Sequence, residues 1–373
     1  MVTDFFATPA IELIVAVIVS FIIVNITIPA IIRVAREKHL MDEPNGRSSH
    51  TRKTPSLGGI AIFASIAITY LLATPAGDDA AVNIHSIIPS LVILFFIGLK
   101  DDILVIDPYK KLLAQLLASA LLIYFTDIRI GNLFGILGIS EIPYVPSFVI
   151  TIFVMIVIIN AFNLIDGIDG LAAGIGIISA LSFGVYFYIV GLYWATALAM
   201  ILIGSLLAFI KFNFSRSQKI FMGDSGSLIV GFILALLAVK FIQFNELYNS
   251  LYIRNAPTMT IMVLAVPLFD TLRVFTQRIA SGTGPFVADR NHIHHFIIDN
   301  GYSHLNATIL LSVSSAVLVG LSFYFFHDAP VSYSFACLII TFLVYSLVMR
   351  RDLMVRKPFV KESLLREKSQ RAA

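Results

Sequence analysis

Apolar runs recur along the whole of this 373-residue chain, many of them reaching the roughly 17–25 residues that a helix needs to cross a bilayer. No other feature constrains the fold so strongly. The charge content agrees: 13% of the residues are Asp, Glu, Lys or Arg, about half the share in a soluble globular domain. A soluble protein with buried helices would show shorter runs with more charge between them. We therefore read the chain as an all-α polytopic membrane protein. Its single cysteine, Cys337, lies in an apolar run, so it allows no intrachain disulfide and no cysteine metal cluster.

The apolar segments are 11–32, 58–74, 86–99, 111–126, 147–162, 171–190, 193–210, 227–243, 258–277, 307–326 and 332–349, which predicts about eleven transmembrane helices. The first is too long for a signal peptide and its positive charges follow it, so it reads as an anchor. The ninth contains Pro267, Asp270 and Arg273, which predicts a broken or bent span with its polar half facing protein or water. Basic residues are enriched in cytoplasmic loops. With the connector 33–57 inside, only Arg129, Lys240 and Arg254 of the 26 basic residues fall outside. That places the N-terminus outside and the C-terminus in the cytoplasm. The outer segment 128–146 alternates and carries turn glycines, which suits a small β-hairpin. Residues 1–349 form one integral membrane domain, and 350–373 a charged cytoplasmic tail suited to anionic headgroups.

The unusual residues all fall on the cytoplasmic side of this plan. "NAFNLIDGIDGLAAG" (160–174) sets Asp166 and Asp169 between two greasy segments, and acids near a membrane usually mark a functional site. Asn163, Asp166 and Asp169 recur every third residue, roughly one face of a helix. The adjacent carboxylates Asp101 and Asp102 need a cation or a shared proton, and Lys110 and Lys111 follow nearby. "MGDSGS" offers Asp224 as an oxygen ligand, or as a helix cap. Hard Mg²⁺ favours one or two carboxylates with substrate phosphates and water. "HIHH" (His292, His294, His295) lacks the HExxH zinc spacing. With Arg278 and Arg290 near it, an anion-binding loop is the more natural use. The clusters together ask for a divalent metal, a pyrophosphate-like anion and a reaction at the membrane surface. The P-loop pattern GxxxxGK[ST] does not occur.

"DD…DPYKKLLAQ", "NAFNLIDGIDGLAAG", "FMGDSGS", "PLFDTLR" and "DRNHIHH" stand in this order between about Asn45 and Phe296. In this the chain resembles the polyprenyl-phosphate N-acetylhexosamine-1-phosphate transferases, a glycosyltransferase family 4 type. "HIHH" is most similar to the bacterial undecaprenyl-phosphate N-acetylglucosaminyl 1-phosphate transferase branch. The resemblance implies that UDP-GlcNAc and undecaprenyl phosphate give undecaprenyl-diphosphate-GlcNAc and UMP, with Mg²⁺ or Mn²⁺, in a cytoplasmic-face cleft of the bacterial inner membrane. The product would begin a cell-envelope glycan.

Carried over to this chain, the resemblance makes Asp224 the principal metal ligand, assisted by Asn163. Phe221 would stack on uracil and Asp169 would bond its edge. Lys111 would hold the diphosphate, with Arg278, Arg290, His292, His294 and His295 around phosphate and sugar. Asp101 and Asp102 would face the lipid phosphate, one of them a candidate base. Asp166 would bind metal or order its loop. The partners are then the nucleotide sugar, the polyprenyl phosphate and the bilayer, without nucleic acid, and a homodimer stays open. Another UDP-N-acetylhexosamine is the enzymatic alternative. An ion-coupled transporter is the rival from another class, and Asp270 is the acid deep enough to suit it.

Overall fold

The computed structural model describes residues 9–41, 53–73, 78–104, 106–247, 253–282, 292–326, 329 and 331–355. The described residues form helices α1 (Pro9–Glu37), α2 (Gly58–Ala73), α3 (Asp78–Leu104), α4 (Pro108–Thr126), α5 (Tyr144–Ile165), α6 (Leu171–Ile189) and α7 (Tyr193–Asn213). These are followed by α8 (Gly223–Leu247), α9 (Ala256–Val263), α10 (Ala265–Ala280), α11 (Ile293–Asp299), α12 (His304–Phe326) and α13 (Val331–Val355). Each apolar segment named above lies on one of these helices, the ninth on α9 and α10 together. Hydrocarbon offers the backbone no partner, so a run that crosses it must bond within itself, and a helix does so.

Six described helices, α1, α5, α6, α7, α8 and α12, are long and apolar enough to cross a membrane, and the bent α9–α10 pair makes up to seven. Gly58–Leu72 in α2 and Tyr333–Ser346 in α13 are apolar but shorter. The chain is a multi-pass membrane protein. α8 is the hub, packed against α2, α3, α5 and α6. The outer helix α1 turns Ala16, Ser20, Val24, Ile28 and Ile32 inward, and Ile14, Ile18, Ile22 and Ile26 outward. Both stripes follow the four-residue spacing of one helix face. Ser20 packs against Gly204 of α7, a close approach of two small residues as membrane helices favour.

The expected break in the ninth segment is present as an 82° bend between α9 and α10. It falls at Leu264 rather than at Pro267. Proline is tolerated in the first helical turn, where its missing N–H has no intrahelical partner to lose. The segment 128–143 carries one antiparallel bridge, Asn132 to Glu141, around a 3₁₀ turn at Ile136–Gly138. Backbone bonds from Leu133 N to Ser140 O and from Ile142 N to Gly131 O, both 2.8 Å, pair the two arms of the turn, and no strand longer than the bridge forms there among the described residues. α13 runs on to Val355, past the expected boundary at residue 349.

Candidate active site

The site grows from four helix ends. α4 begins where the sequence says it should: Asp107 caps it by accepting from the Tyr109 amide at 2.7 Å, and Pro108 fills the first position. That start puts Lys111 in the first turn, directed back toward the end of α3, where Asp101 and Asp102 lie. Lys111 Nζ donates to Asp224 Oδ2 and lies 3.4 Å from both Asp101 Oδ2 and Asn163 Oδ1. Asn163, near the end of α5, donates to Asp224 Oδ1 at 2.7 Å and to Ser227 Oγ at 2.8 Å. Asp101, Lys111, Asn163 and Asp224 are thus one cluster built by α3, α4, α5 and α8.

Asp102 has a different task from its neighbour. Its Oδ1 accepts from the Asp224 amide at 2.6 Å. Its Oδ2 accepts from the Ser225 amide at 3.1 Å and the Ser225 hydroxyl at 2.6 Å. A carboxylate from α3 therefore caps α8, where unpaired amides and the helix dipole favour negative charge. Gly223 makes this possible, with φ at 71° and a position where a Cβ would lie 2.7 Å from both Asp102 oxygens. Asp102 lies beyond the apolar part of α3. Burial, reinforced by the charge of Asp224, pushes it up to about 7 against the hydroxyl of Ser225.

The turn between α5 and α6 holds the other two acids. Asp166 is partly buried and has no hydrogen-bond partner among the described residues. Burial, then the charges of Asp224, Asp102 and Asp169, raise it well above the usual carboxylate range. Asp169 is held on its Oδ2 by Lys219 Nζ at 2.6 Å, with His304 Nδ1 at 3.2 Å. Burial would raise it, but the bonds from His304 and Lys219 prevail and hold it below its ordinary value. Lys219 also lies over the ring of Phe221, 5.3 Å from its centroid. Phe221 and Asp169 thus share a corner, joined by a lysine.

A histidine wall closes the third side. Asp270 is fully buried and bonds Arg273 Nη2 and His292 Nδ1, each at 2.8 Å, and the Ile293 amide at 3.0 Å. This fixes His292 at the start of α11. The ring of His292 stacks on that of His294, with centroids 5.8 Å apart, and His294 lies 4.2 Å from His295. His294 is buried, and neither of its nitrogens has a partner among the described residues. Burial, with the charge of His295 beside it, pushes it down to about 3. At neutral pH it is therefore an uncharged ring. His294 faces the acidic turn so closely that a Cβ on Gly167 would lie 2.1 Å from its Nε2. Arg278 is buried in the last turn of α10, and Arg290 lies outside the described residues.

Asp101, Asp102, Lys111, Asn163 and Asp224 come together directly. Asp166, Asp169, Phe221, His292, His294 and His295 surround the adjoining turn. Sequence reasoning missed Lys219, His304, Gln115 and Asn160. Gln115 and Asn160 exchange hydrogen bonds at 3.2 and 2.7 Å, tying α4 to α5 behind the cluster. Gln115 stands four residues after Lys111 and Asn160 three before Asn163, so helix spacing could have found both. Lys219 precedes Phe221 by two and would share its side of an extended segment. Nothing in the sequence singles out His304.

Among the described residues no three His, Cys, Asp or Glu side chains are placed to hold a metal ion by themselves. The donor set still fits a magnesium ion, which binds through one or two carboxylates and leaves positions for phosphates and water. Asp224 and Asn163 supply hard oxygens, and the ammonium of Lys111 stands in for a cation between Asp101 and Asp224.

Residues 84–242 match the family model described as glycosyl transferase family 4. That region runs from within α3 into α8 and holds the whole carboxylate cluster with Asp169, Lys219 and Phe221. The chain is 29% identical over 348 residues to the undecaprenyl-phosphate alpha-N-acetylglucosaminyl 1-phosphate transferase of Salmonella typhi, covering 91% of each chain. The protein of that name in Escherichia coli (strain K12) is 27% identical over 335 residues, 88% of each chain. The decaprenyl-phosphate N-acetylglucosaminephosphotransferase of Mycolicibacterium smegmatis is 29% identical over 296 residues, 72% of this chain and 71% of that one.

Proposed function

We propose that this protein transfers GlcNAc-1-phosphate from UDP-GlcNAc to undecaprenyl phosphate at the cytoplasmic face of a bacterial inner membrane. The observation that carries this reading is the convergence of Asp101, Lys111, Asn163 and Asp224 at helix ends, beside the Phe221–Asp169 corner. Such a site offers acids for a metal, a cation for a diphosphate and a ring for a base, next to helices that meet lipid. The relatives named above act on polyprenyl phosphates according to their names. Eleven spans, with the N-terminus outside, put all these residues on one side. The product would open the assembly of an envelope glycan.

In the proposed reaction an oxygen of the lipid phosphate attacks the β-phosphorus of UDP-GlcNAc. A new P–O bond forms, the bond to the α-phosphate bridging oxygen breaks, and UMP leaves. Magnesium held by Asp224 and Asn163 would offset charge on the diphosphate. Lys111 binds the same diphosphate, and the wall of His292, His294 and His295 faces the hexose. A phosphate monoester has its second pKa near 6, so the acceptor is largely dianionic at neutral pH and Asp101 serves chiefly to orient it. Asp102 has both oxygens engaged by α8, which favours a positioning role over that of a base. The buried bonds of Asp270 to Arg273, His292 and Ile293 likewise favour a brace over an ion path.

The test is to supply purified protein, undecaprenyl phosphate and Mg²⁺ with UDP-GlcNAc labelled in the sugar, and to count label in organic-extractable lipid. Stoichiometric UMP release with label in lipid is expected. Label that stays in water refutes the proposal, and faster transfer from another UDP-N-acetylhexosamine would reassign the sugar. For orientation, Ser217→Cys and Ser140→Cys in a Cys337→Ser background should label from opposite sides of the membrane.

A further inference from the structure

Asp169 is held as an acceptor with one oxygen committed and one free. Its Oδ2 takes Lys219 at 2.6 Å and lies 3.2 Å from His304 Nδ1, while its Oδ1 has no hydrogen bond among the described residues. Its backbone is fixed too. The Thr308 hydroxyl of α12 donates to the Asp169 carbonyl at 2.7 Å. Next to it, Asn213 at the end of α7 accepts from the Gly170 amide and donates to the Ile220 carbonyl at 2.8 Å. The carboxylate thus stands on a backbone tied to two other helices, α7 and α12. Lys219 commits one ammonium hydrogen to Asp169, leaving two, and lies 5.3 Å from the centroid of the Phe221 ring. An acceptor and a donor therefore sit side by side against the Phe221 ring.

We propose that Lys219 and Asp169 together read the nucleobase, with Lys219 the determinant that selects uracil over cytosine and His304 a positioning residue for Asp169. This rests on the reading of the site as one for a uridine nucleotide, and adds what decides the base. Uracil presents an N3–H donor beside the O4 acceptor, and the pair Asp169 Oδ1 and Lys219 Nζ complements both. Cytosine presents an N3 acceptor beside a 4-amino donor, so acceptor would face acceptor and donor would face donor. A polar site that meets a mismatched partner rejects it far more strongly than an apolar pocket rejects a change of size. Stacking on Phe221 cannot make this choice, because every base has a π-face. His304 enters from α12, outside the region matching the family model, and shares the Oδ2 side, leaving Oδ1 turned to the ligand.

The experiment is equilibrium binding of UMP and CMP to the full-length protein, purified in detergent with Mg²⁺. It compares the unmodified chain with Lys219→Met, Lys219→Arg and His304→Gln. The unmodified protein is expected to prefer UMP by at least about 100-fold. Lys219→Met should weaken UMP by about 10–100-fold, the range for a lost charged hydrogen bond, and leave CMP within about threefold. Lys219→Arg, which keeps a donor, should recover part of the preference. His304→Gln should lose less of it than Lys219→Met. Equal losses of UMP and CMP in Lys219→Met would make the lysine a phosphate contact or a structural brace and overturn the inference. An unchanged preference would overturn it as well, while the uridine-nucleotide reading stood. If the unmodified protein binds neither nucleotide, that reading falls and the inference falls with it.

Discussion

Asp102→Ala separates a carboxylate that does chemistry from one that holds the site in place. In the folded chain Asp102 bonds the amides of Asp224 and Ser225 and the hydroxyl of Ser225, at 2.6, 3.1 and 2.6 Å. A hydrogen bond to a charged group contributes about 1.5–3 kcal/mol. Taking the low end for each of the two amides, because the group is only partly buried, gives a local loss of about 3 kcal/mol. Loss of a helix N-cap, about 1–2 kcal/mol, sets the floor. Three kcal/mol is about 100-fold in an opening equilibrium. The measurement is hydrogen exchange of the detergent-purified protein, read at the peptide covering the start of α8. Exchange at Asp224 and Ser225 should quicken by about 10–100-fold, while Leu236–Phe241 in the buried half stays protected. Turnover should fall with it, because Asp224 rides on that first turn. Asp101→Asn should also lower turnover and leave the exchange untouched. Normal exchange at Asp224 and Ser225 with turnover lost would refute the reasoning and return Asp102 to the reacting groups.

Four further outcomes follow from the same geometry. Lys111→Met should lower turnover by about 100-fold at saturating Mg²⁺, the scale for losing one donor to a reacting oxyanion. Chelation of divalent metal should stop the unmodified enzyme reversibly, and turnover persisting in EDTA would remove the metal from the reading. Gly167→Ala places a Cβ 2.1 Å from His294 Nε2, so that ring must move. Transfer should drop at least about tenfold with UMP affinity nearly unchanged, and a fully active variant would show that His294 is not part of the sugar wall. The fourth concerns pH. Asp169 is held below its ordinary value by His304 and Lys219. Its stabilisation is therefore complete above the unfolded value of about 3.9 and is lost as pH falls through the lower folded value. The difference in thermal stability between the protein and Asp169→Asn should stay flat through neutral pH and shrink only in acid. A difference that fades between pH 5 and 7 would contradict this.

The sequence by itself determined that the chain crosses a membrane many times, because an apolar run of that length has no other stable place to lie. It also located most of the site. Carboxylates beside greasy segments cost free energy, so "NLIDGIDG" and "KDD" stand out without any structure. Spacing on α4 and α5 could have extended the list to Gln115 and Asn160. What the sequence left undecided is which face of each helix turns inward. In a soluble helix polar residues mark the outer face, but on α1 the inward and outward stripes are both apolar. Only packing settled that Ala16 and Ser20 are buried, Ser20 against Gly204 of α7, while Ile14 and Ile22 are exposed. Tertiary structure also divided the adjacent pair Asp101 and Asp102, equal in sequence, into a partner of Lys111 and a cap for α8. It brought His304 from the start of α12 onto Asp169, 135 residues away. Local spacing holds no trace of such a contact, because nothing in either segment changes until two distant helices pack side by side.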